Sequence, residues 1–128
     1  MIYGIGTDII EIRRIEKAIT RNKNFTNKLF TKDEMDLWEK KNFKLEFIAG
    51  RFAAKEAVSK ALGTGIRDFN FKDIEITNDE LGKPQVILKP KAEDIIRKIS
   101  KSHKFHLSIS HEKEYAIAYA LLEVFIWE

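Results

Sequence analysis

Arg51 to Gly65 read RFAAKEAVSKALGTG, and this stretch decides the fold. Its first twelve residues are rich in Ala, Lys, Glu and Leu, which favour helix formation. Gly63 and Gly65 predict the end of the helix, because glycine adopts the left-handed conformation of a helix C-cap without a Cβ clash. We therefore predict a long helix from Lys44 to Leu62 that ends at a glycine loop.

One stripe of this helix changes from apolar to charged as it approaches the glycine loop. At helical spacing, Ile48, Phe52, Glu56 and Lys60 lie in line. Two interpretations of the charged end stay open. Glu56 and Lys60 are an ordinary ion pair on a solvated surface, or they are a metal-binding carboxylate and a phosphate-binding lysine at the mouth of a site.

The composition indicates one globular domain over residues 1–128. Apolar residues make up 44% of the chain and charged residues 34%, which argues against a disordered protein. The chain contains no cysteine, which excludes disulfides and thiol catalysis. No apolar run approaches the roughly 20 residues of a membrane helix, and the N-terminus lacks a signal-peptide pattern. We therefore expect a cytoplasmic protein that does not bind membranes.

The fold class is predicted from two hairpins that surround the long helix. Alternating residues over Phe71–Thr77 and an apolar run at Val86–Leu88 predict the first hairpin. Phe105–His111 and Tyr115–Glu123 alternate cleanly and predict the second, whose alanine face suits a closely packed helix. With a short strand at Met1–Asp8, we expect an α+β fold in which a small antiparallel sheet packs on the long helix.

Three further helices are predicted from their caps and spacing. Apolar residues at helical spacing indicate a helix over Ile9–Thr20, and Thr31 begins a capping-box pattern for a helix over Lys32–Glu39. Pro90 starts a helix that runs to Ser100. The residues that follow, Lys101–Lys104, are predicted to form a loop.

Asp8 ends the predicted first strand and has two open interpretations. Aspartate is a frequent N-cap, and Asp8 directly precedes the helix predicted from Ile9. It is also a candidate metal ligand. One carboxylate can serve both purposes.

The chemistry of the candidate site follows from its residue types. Two carboxylates, Asp8 and Glu56, without a nearby histidine or cysteine suit a hard cation such as Mg²⁺. A lysine beside a glycine loop suits phosphate. Ser110 and His111 point to opposite faces of their strand, so they are not a nucleophile–base pair. The residues predict a Mg²⁺-dependent site for a phosphorylated ligand.

Three motifs occur in order along the chain: GIGTDI at 4–9, RFAAKEA at 51–57 with KALGTG at 60–65, and HLSISH at 106–111 with Ala116 and Ala118. The set resembles the small bacterial type of the 4′-phosphopantetheinyl transferase family, the holo-[acyl-carrier-protein] synthases, over the whole chain. The resemblance implies transfer of 4′-phosphopantetheine from coenzyme A to a serine of apo acyl carrier protein, with release of adenosine 3′,5′-bisphosphate, in fatty-acid biosynthesis. It also implies a homotrimer with active sites between subunits.

The resemblance assigns roles to individual residues. Asp8 and Glu56 match the carboxylates that hold Mg²⁺, and Glu56 is the candidate base for the carrier serine. Lys60 matches the lysine near the pyrophosphate and would stabilise the departing phosphate. The other matches are Gly63 and Gly65 beside the coenzyme, Arg51 and His106 around the nucleotide and its 3′-phosphate, and Arg14, Arg21 and Phe25 on the surface that docks acyl carrier protein.

Two features stand beside this interpretation. The segment Arg13–Lys32 carries seven basic residues and one acidic residue, which suits an acidic partner and also fits a non-catalytic nucleic-acid-binding module. A nucleic-acid-binding module does not explain Asp8 and Glu56, because without a metal these carboxylates would repel phosphate. We therefore predict no nucleic-acid binding. The apolar end Val124–Trp127 is expected to pack on the core or on a neighbouring subunit.

Overall fold

The structure is a computed structural model that describes residues 1–125. None of the helices in that range combines the length and the apolar composition needed to cross a bilayer. The elements in chain order are β1 (Ile2–Glu11), α1 (Ile12–Arg21), α2 (Phe25–Leu29), α3 (Lys32–Lys40), α4 (Leu45–Leu62), β2 (Ile74–Asn78), β3 (Pro84–Leu88), α5 (Pro90–Ile99), β4 (Ser102–His111) and β5 (Tyr115–Phe125).

Helix α4 packs on an antiparallel sheet with the strand order β1-β5-β4. The central strand β5 turns small buried side chains toward the helix, among them Ala116, Ala118 and Ala120. The predicted α+β fold, a small antiparallel sheet on a long helix, is therefore confirmed. The predicted C-cap is also confirmed, because Gly63 ends α4 in the left-handed conformation with φ +86°.

The contact between β1 and α4 is made by backbone atoms. A Cβ added to Gly4 would lie 2.0 Å from the carbonyl oxygen of Ala61, and one added to Gly6 would lie 1.8 Å from that of Ala57. Only glycine allows this approach. Because side chains alternate along a strand, Asp8 follows Gly4 and Gly6 on the side that faces the helix.

A buried ion pair joins the β2–β3 hairpin and α3 to the opposite side of α4. The Nζ of Lys55 donates to Glu34 Oε1 at 2.8 Å and to the carbonyl oxygens of Phe71 and Ile74 at 2.9 and 2.6 Å. The second oxygen of Glu34 accepts a hydrogen bond from the backbone N–H of Ile76 at 2.8 Å. Both charges are therefore fully hydrogen-bonded inside the protein, as buried charges require.

The remaining helix caps and the pairing of the two hairpins agree with the predictions, but β2 begins at Ile74 rather than Phe71, because Phe71–Asp73 form a capped 3-10 turn. Thr31 and Glu34 form the complete capping box of α3, and Pro90 occupies the first turn of α5. Strands β2 and β3 pair antiparallel, as do β4 and β5.

Two predicted boundaries are wrong because strand pairing continues further than local sequence indicates. Strand β1 runs to Glu11, which pairs with Tyr115, so the helix predicted from Ile9 begins at Ile12 and Asp8 is not its N-cap. The predicted loop at Lys101–Lys104 is mostly strand, because β4 begins at Ser102, opposite Phe125. At the apolar C-terminal end, Val124 lies in the core, whereas Ile126 and Trp127 fall outside the described residues.

Candidate active site

The first cluster of functional side chains lies where β1 crosses the C-terminal half of α4. The Nζ of Lys60 donates to the carbonyl oxygen of Thr7 at 2.9 Å and to Asp8 Oδ1 at 3.4 Å. Glu56 lies one turn before Lys60 on the same side of α4. Two carboxylates and one ammonium from distant parts of the sequence therefore meet at one place.

Burial disfavours the charged form of both carboxylates in this cluster. Burial raises the pKa of Asp8, although the adjacent Lys60 opposes this shift. Burial also raises the pKa of Glu56, and the negative charge of Asp8 raises it further against the opposing effect of Lys60. A bound cation would relieve this repulsion.

The surface-pair interpretation of Glu56 and Lys60 is wrong for this structure. Within residues 1–125 no ion pair joins them, and Lys60 pairs with Asp8 instead. In the same range no group of three or more His, Cys, Asp or Glu side chains forms a metal site. Two carboxylates alone fit Mg²⁺, which usually keeps several waters and takes phosphate oxygens as further ligands.

The glycine loop begins at Gly63, just after the end of α4, and leaves backbone accessible. Gly63 and Gly65 have φ values of +86° and +64°, and the place where either Cβ would be is open space, without contacts to described residues beyond the adjacent chain. The N–H of Gly65 donates to the carbonyl oxygen of Ser59 at 3.1 Å, which folds the loop back on the helix end. A loop of this kind suits the close approach of a phosphorylated ligand.

Arg51 lies in a second place, at a cleft between α4 and the β2–β3 hairpin. Its side chain is 5% exposed, stacks over the ring of Phe47 at 4.6 Å and donates from Nη2 to Asn78 Oδ1 at 2.6 Å. Its Nη1 is buried and has no hydrogen-bond partner among the described residues. Burial lowers the pKa of Arg51 to about 10, with the charge of Glu34 opposing the shift.

The surroundings of Arg51 are mainly basic. Lys41, Lys44 and His111 line the cleft with Arg51, and Glu46 is the acidic residue among its lining side chains. A buried guanidinium with an unsatisfied N–H, next to further basic groups, indicates a binding site for an anion.

His106 does not lie with Arg51 or with Asp8. It is exposed on the face of the sheet that points away from α4, and its Nε2 lies 3.0 Å from Glu123 Oε1. His111 is the histidine in the Arg51 cleft. The sequence spacing indicates the inward position of His111, because it shares its strand face with Leu107 and Ile109. The prediction of His106 at the nucleotide came from the resemblance and not from this spacing.

The predicted docking residues are only partly on one surface. Arg14 and Arg21 are exposed on α1, and their spacing of seven residues puts them on the same face. Phe25, which the resemblance places on the same docking surface, does not continue this helical face. Helix α1 ends at Arg21, and Phe25 begins α2. The Phe25 side chain is half-buried against a core cluster that includes Ile12 and Trp38.

The cluster of Asp8, Glu56 and Lys60 beside a glycine loop fits one class of protein, an enzyme that acts on a phosphorylated ligand. A family model described as the 4′-phosphopantetheinyl transferase superfamily matches residues 4–120. The holo-[acyl-carrier-protein] synthase of Clostridium novyi (strain NT) is 60% identical over 124 residues, which cover 97% of this chain and 89% of that protein. The chain therefore belongs to the holo-[acyl-carrier-protein] synthases of the 4′-phosphopantetheinyl transferase superfamily.

Solved structures agree with this assignment. The holo-(acyl-carrier-protein) synthase of Bacillus anthracis str. Ames, in complex with CoA (3′,5′-ADP), is 46% identical with a TM-score of 0.79, and the match covers 98% of this chain and 99% of that chain. The Helicobacter pylori enzyme in complex with coenzyme A is 35% identical with a TM-score of 0.81, over 93% and 99% of the two chains.

Proposed function

We propose that this chain transfers 4′-phosphopantetheine from coenzyme A to a serine of apo acyl carrier protein, in cytoplasmic fatty-acid biosynthesis, and uses Mg²⁺ held by Asp8 and Glu56. Adenosine 3′,5′-bisphosphate is the second product. The observation that carries the proposal is the convergence of Asp8, Glu56 and Lys60 in a chain of this family.

Mass spectrometry of apo acyl carrier protein tests the proposal directly. Incubation with coenzyme A and Mg²⁺ is expected to add one phosphopantetheine to the carrier serine, and a chelator is expected to prevent the addition. Salt-dependent retention on DNA without transfer would favour the nucleic-acid-binding alternative instead.

The residues of the cluster have complementary tasks in this reaction. When bound, Mg²⁺ supplies Lewis-acid chemistry that neutralises charge on the pyrophosphate. Glu56 accepts the proton of the carrier serine hydroxyl as the general base. The serine oxygen then bonds to the phosphorus that carries pantetheine, and the bond from that phosphorus to the bridging oxygen breaks. Lys60 stabilises the negative charge left on the departing phosphate.

The role of Lys60 gives a kinetic prediction. Lys60→Ala is expected to lower kcat by about 100-fold, because a charge aimed at the leaving group matters most as that group departs. Affinity for coenzyme A should change much less. Steady-state kinetics with varied coenzyme A separate the two effects. An unchanged kcat would mean that Lys60 only neutralises the charge of Asp8 and does not stabilise the leaving group.

The Arg51 cleft is the proposed site for the nucleotide 3′-phosphate, with His111 as its histidine in place of His106. Arg51 and Glu56 lie five residues apart on α4, which turns their side chains about 140° from each other. One chain therefore presents the cleft and the metal cluster on different sides of the helix. A coenzyme bound between two subunits would use the cleft of one chain and the metal cluster of the next.

A homotrimer, as the resemblance implies, also explains the outer face of the sheet. Ile5, Ile9 and Tyr119 are 63%, 62% and 56% exposed on that face, and an apolar patch of this kind is typical of an interface.

The trimer can be tested on this face. We expect sedimentation equilibrium to show a trimer, and Ile5→Asp combined with Ile9→Asp to give a folded monomer that has lost transfer activity. Ile87→Asp is the control, because Ile87 is 43% exposed on the separate β2–β3 hairpin. A monomeric wild-type protein at micromolar concentration would contradict the proposal.

The proposed carrier surface on α1 is tested by charge reversal. Arg14→Glu combined with Arg21→Glu is expected to raise KM for acyl carrier protein by about tenfold or more, because opposite charge speeds encounter with an acidic partner. Coenzyme A binding should be unaffected. Added salt should weaken wild type more than the double variant, since it screens the attraction over about 8 Å at physiological ionic strength.

A matched control reverses two lysines with the same spacing. Lys91 and Lys98 are exposed on α5, and Lys91→Glu combined with Lys98→Glu makes the same change in net charge. An equal rise in KM for both double variants would mean that only the overall charge matters and would remove the docking role from α1.

A further inference from the structure

The hydrogen bond from Arg51 to Asn78 joins a buried cation to a neutral partner. The Nη2 of Arg51 donates to the amide oxygen of Asn78 at 2.6 Å, and within residues 1–125 Arg51 forms no ion pair with a carboxylate. The nearby charge of Glu34 is engaged elsewhere, since its oxygens accept hydrogen bonds from Lys55 and from backbone N–H groups. The positive charge of Arg51 is therefore left largely uncompensated.

The hairpin holds Asn78 in a defined position. Asn78 is the last residue of β2 and lies opposite Pro84. The turn that follows is closed by Asp79, whose side chain accepts hydrogen bonds from the N–H groups of Leu81 at 2.9 Å and Lys83 at 2.8 Å. A side chain at the edge of such a braced turn can fix the plane of a guanidinium that it contacts.

We propose that Asn78 is a positioning residue for the nucleotide phosphate. Its amide oxygen holds Nη2 of Arg51 and so fixes the plane of the guanidinium in the cleft, and its neutrality leaves the guanidinium charge available for the 3′-phosphate of coenzyme A. The inference rests on the proposed role of the Arg51 cleft as the nucleotide-binding site.

Replacing Asn78 by aspartate shows why the neutral charge of its side chain matters. An aspartate at position 78 would accept the same hydrogen bond with a full negative charge and form an ion pair with Arg51. The cleft already contains one acidic residue, Glu46. A second carboxylate would offset the cations Lys41, Lys44 and Arg51 and repel the phosphate. Asn78 should therefore set the preference for coenzyme A over 3′-dephospho-coenzyme A.

The test compares these two substrates in wild type and variants. Asn78→Asp is expected to raise KM for coenzyme A by about tenfold, with kcat nearly unchanged and little change for 3′-dephospho-coenzyme A. Calorimetry with adenosine 3′,5′-bisphosphate should show a similar loss of affinity. Asn78→Ala removes the acceptor without adding charge and is expected to cause a smaller loss of the same preference.

The controls separate this role from a structural one and from failure of the cleft itself. Gln85→Glu adds the same charge at an exposed position of β3 and should leave the preference unchanged. An equal loss with both substrates in Asn78→Asp, at unchanged thermal stability, would overturn the positioning role. Arg51→Met tests the cleft. If it lowers the preference and Asn78→Asp does not, only the inference on Asn78 fails. If Arg51→Met leaves the preference unchanged, the nucleotide site itself is wrong.

Discussion

Asp8→Ala and Glu56→Ala are each expected to abolish transfer to the carrier serine and to leave the fold intact. Each variant removes one of the two carboxylates proposed to hold Mg²⁺, and the loss of rate should be at least about 100-fold. Neither side chain is fully buried, so its removal leaves no large cavity. The measurement is the rate of carrier modification over a range of Mg²⁺ concentrations, with circular dichroism as the check on folding.

Stability gives a second measurement that does not depend on activity. The pKa of Glu56 is raised in the folded state by burial and by Asp8, so folding favours the protonated form. That contribution to stability is fully present below the ordinary glutamate pKa and is lost as pH rises through the raised folded pKa. At neutral pH, Glu56→Gln should therefore raise Tm in the absence of metal.

Mg²⁺ should raise the Tm of wild type more than that of Glu56→Gln, because a ligand stabilises the state that binds it. Glu39→Gln is the control, since Glu39 is exposed on α3 and should respond to Mg²⁺ as wild type does. Full transfer activity in Asp8→Ala or Glu56→Ala at ordinary Mg²⁺ would remove the metal assignment.

The largest loss of stability is expected for Gly6→Ala. The added Cβ would lie 1.8 Å from the carbonyl oxygen of Ala57 and 2.8 Å from the backbone nitrogen of Ala61. These are backbone atoms of a helix and cannot rotate away, so β1 must move off α4. We expect the free energy of unfolding to fall by about 3 kcal/mol or more, measured by urea denaturation. Transfer activity should fall as well, because Asp8 moves with the strand.

Gly82→Ala is the matched control for this substitution. Gly82 has a φ of +87° and open space where its Cβ would be, so the same change tests backbone conformation alone. It should lower the free energy of unfolding by about 1 kcal/mol. Equal losses in the two variants would show that β1 can separate from α4 without penalty.

The parts of the fold that follow local rules were predictable from the sequence. The glycine that ends α4, the capping box at Thr31 and the proline at the start of α5 each act within one turn of chain. The boundary between β1 and α1 depends on a partner strand about a hundred residues away. Ile9 and Ile10 suit a helix locally, but pairing with β5 keeps them in the strand.

The candidate site was predictable in its residue types and less so in its arrangement. Asp8, Glu56 and Lys60 carry a chemical signal of their own, and the fold brings them together. The Arg51 cleft combines residues from α4, β2 and β4. Spacing along the chain does not predict that these residues meet. Asn78 in particular resembles an ordinary turn residue until its contact with Arg51 is seen.

The glycine contact between β1 and α4 has a consequence for how this protein tolerates change. Since main-chain atoms meet there, the separation between the strand that carries Asp8 and the helix that carries Glu56 is set at the crossing by backbone contacts rather than by large side chains. Core residues elsewhere, such as Ile74 or Ile96, can be exchanged for others of similar volume without altering that separation. Substitutions in the core should therefore leave the relative position of Asp8 and Glu56 unchanged. An engineer can redesign the interior for heat resistance while leaving residues 4–8 and 56–61 untouched.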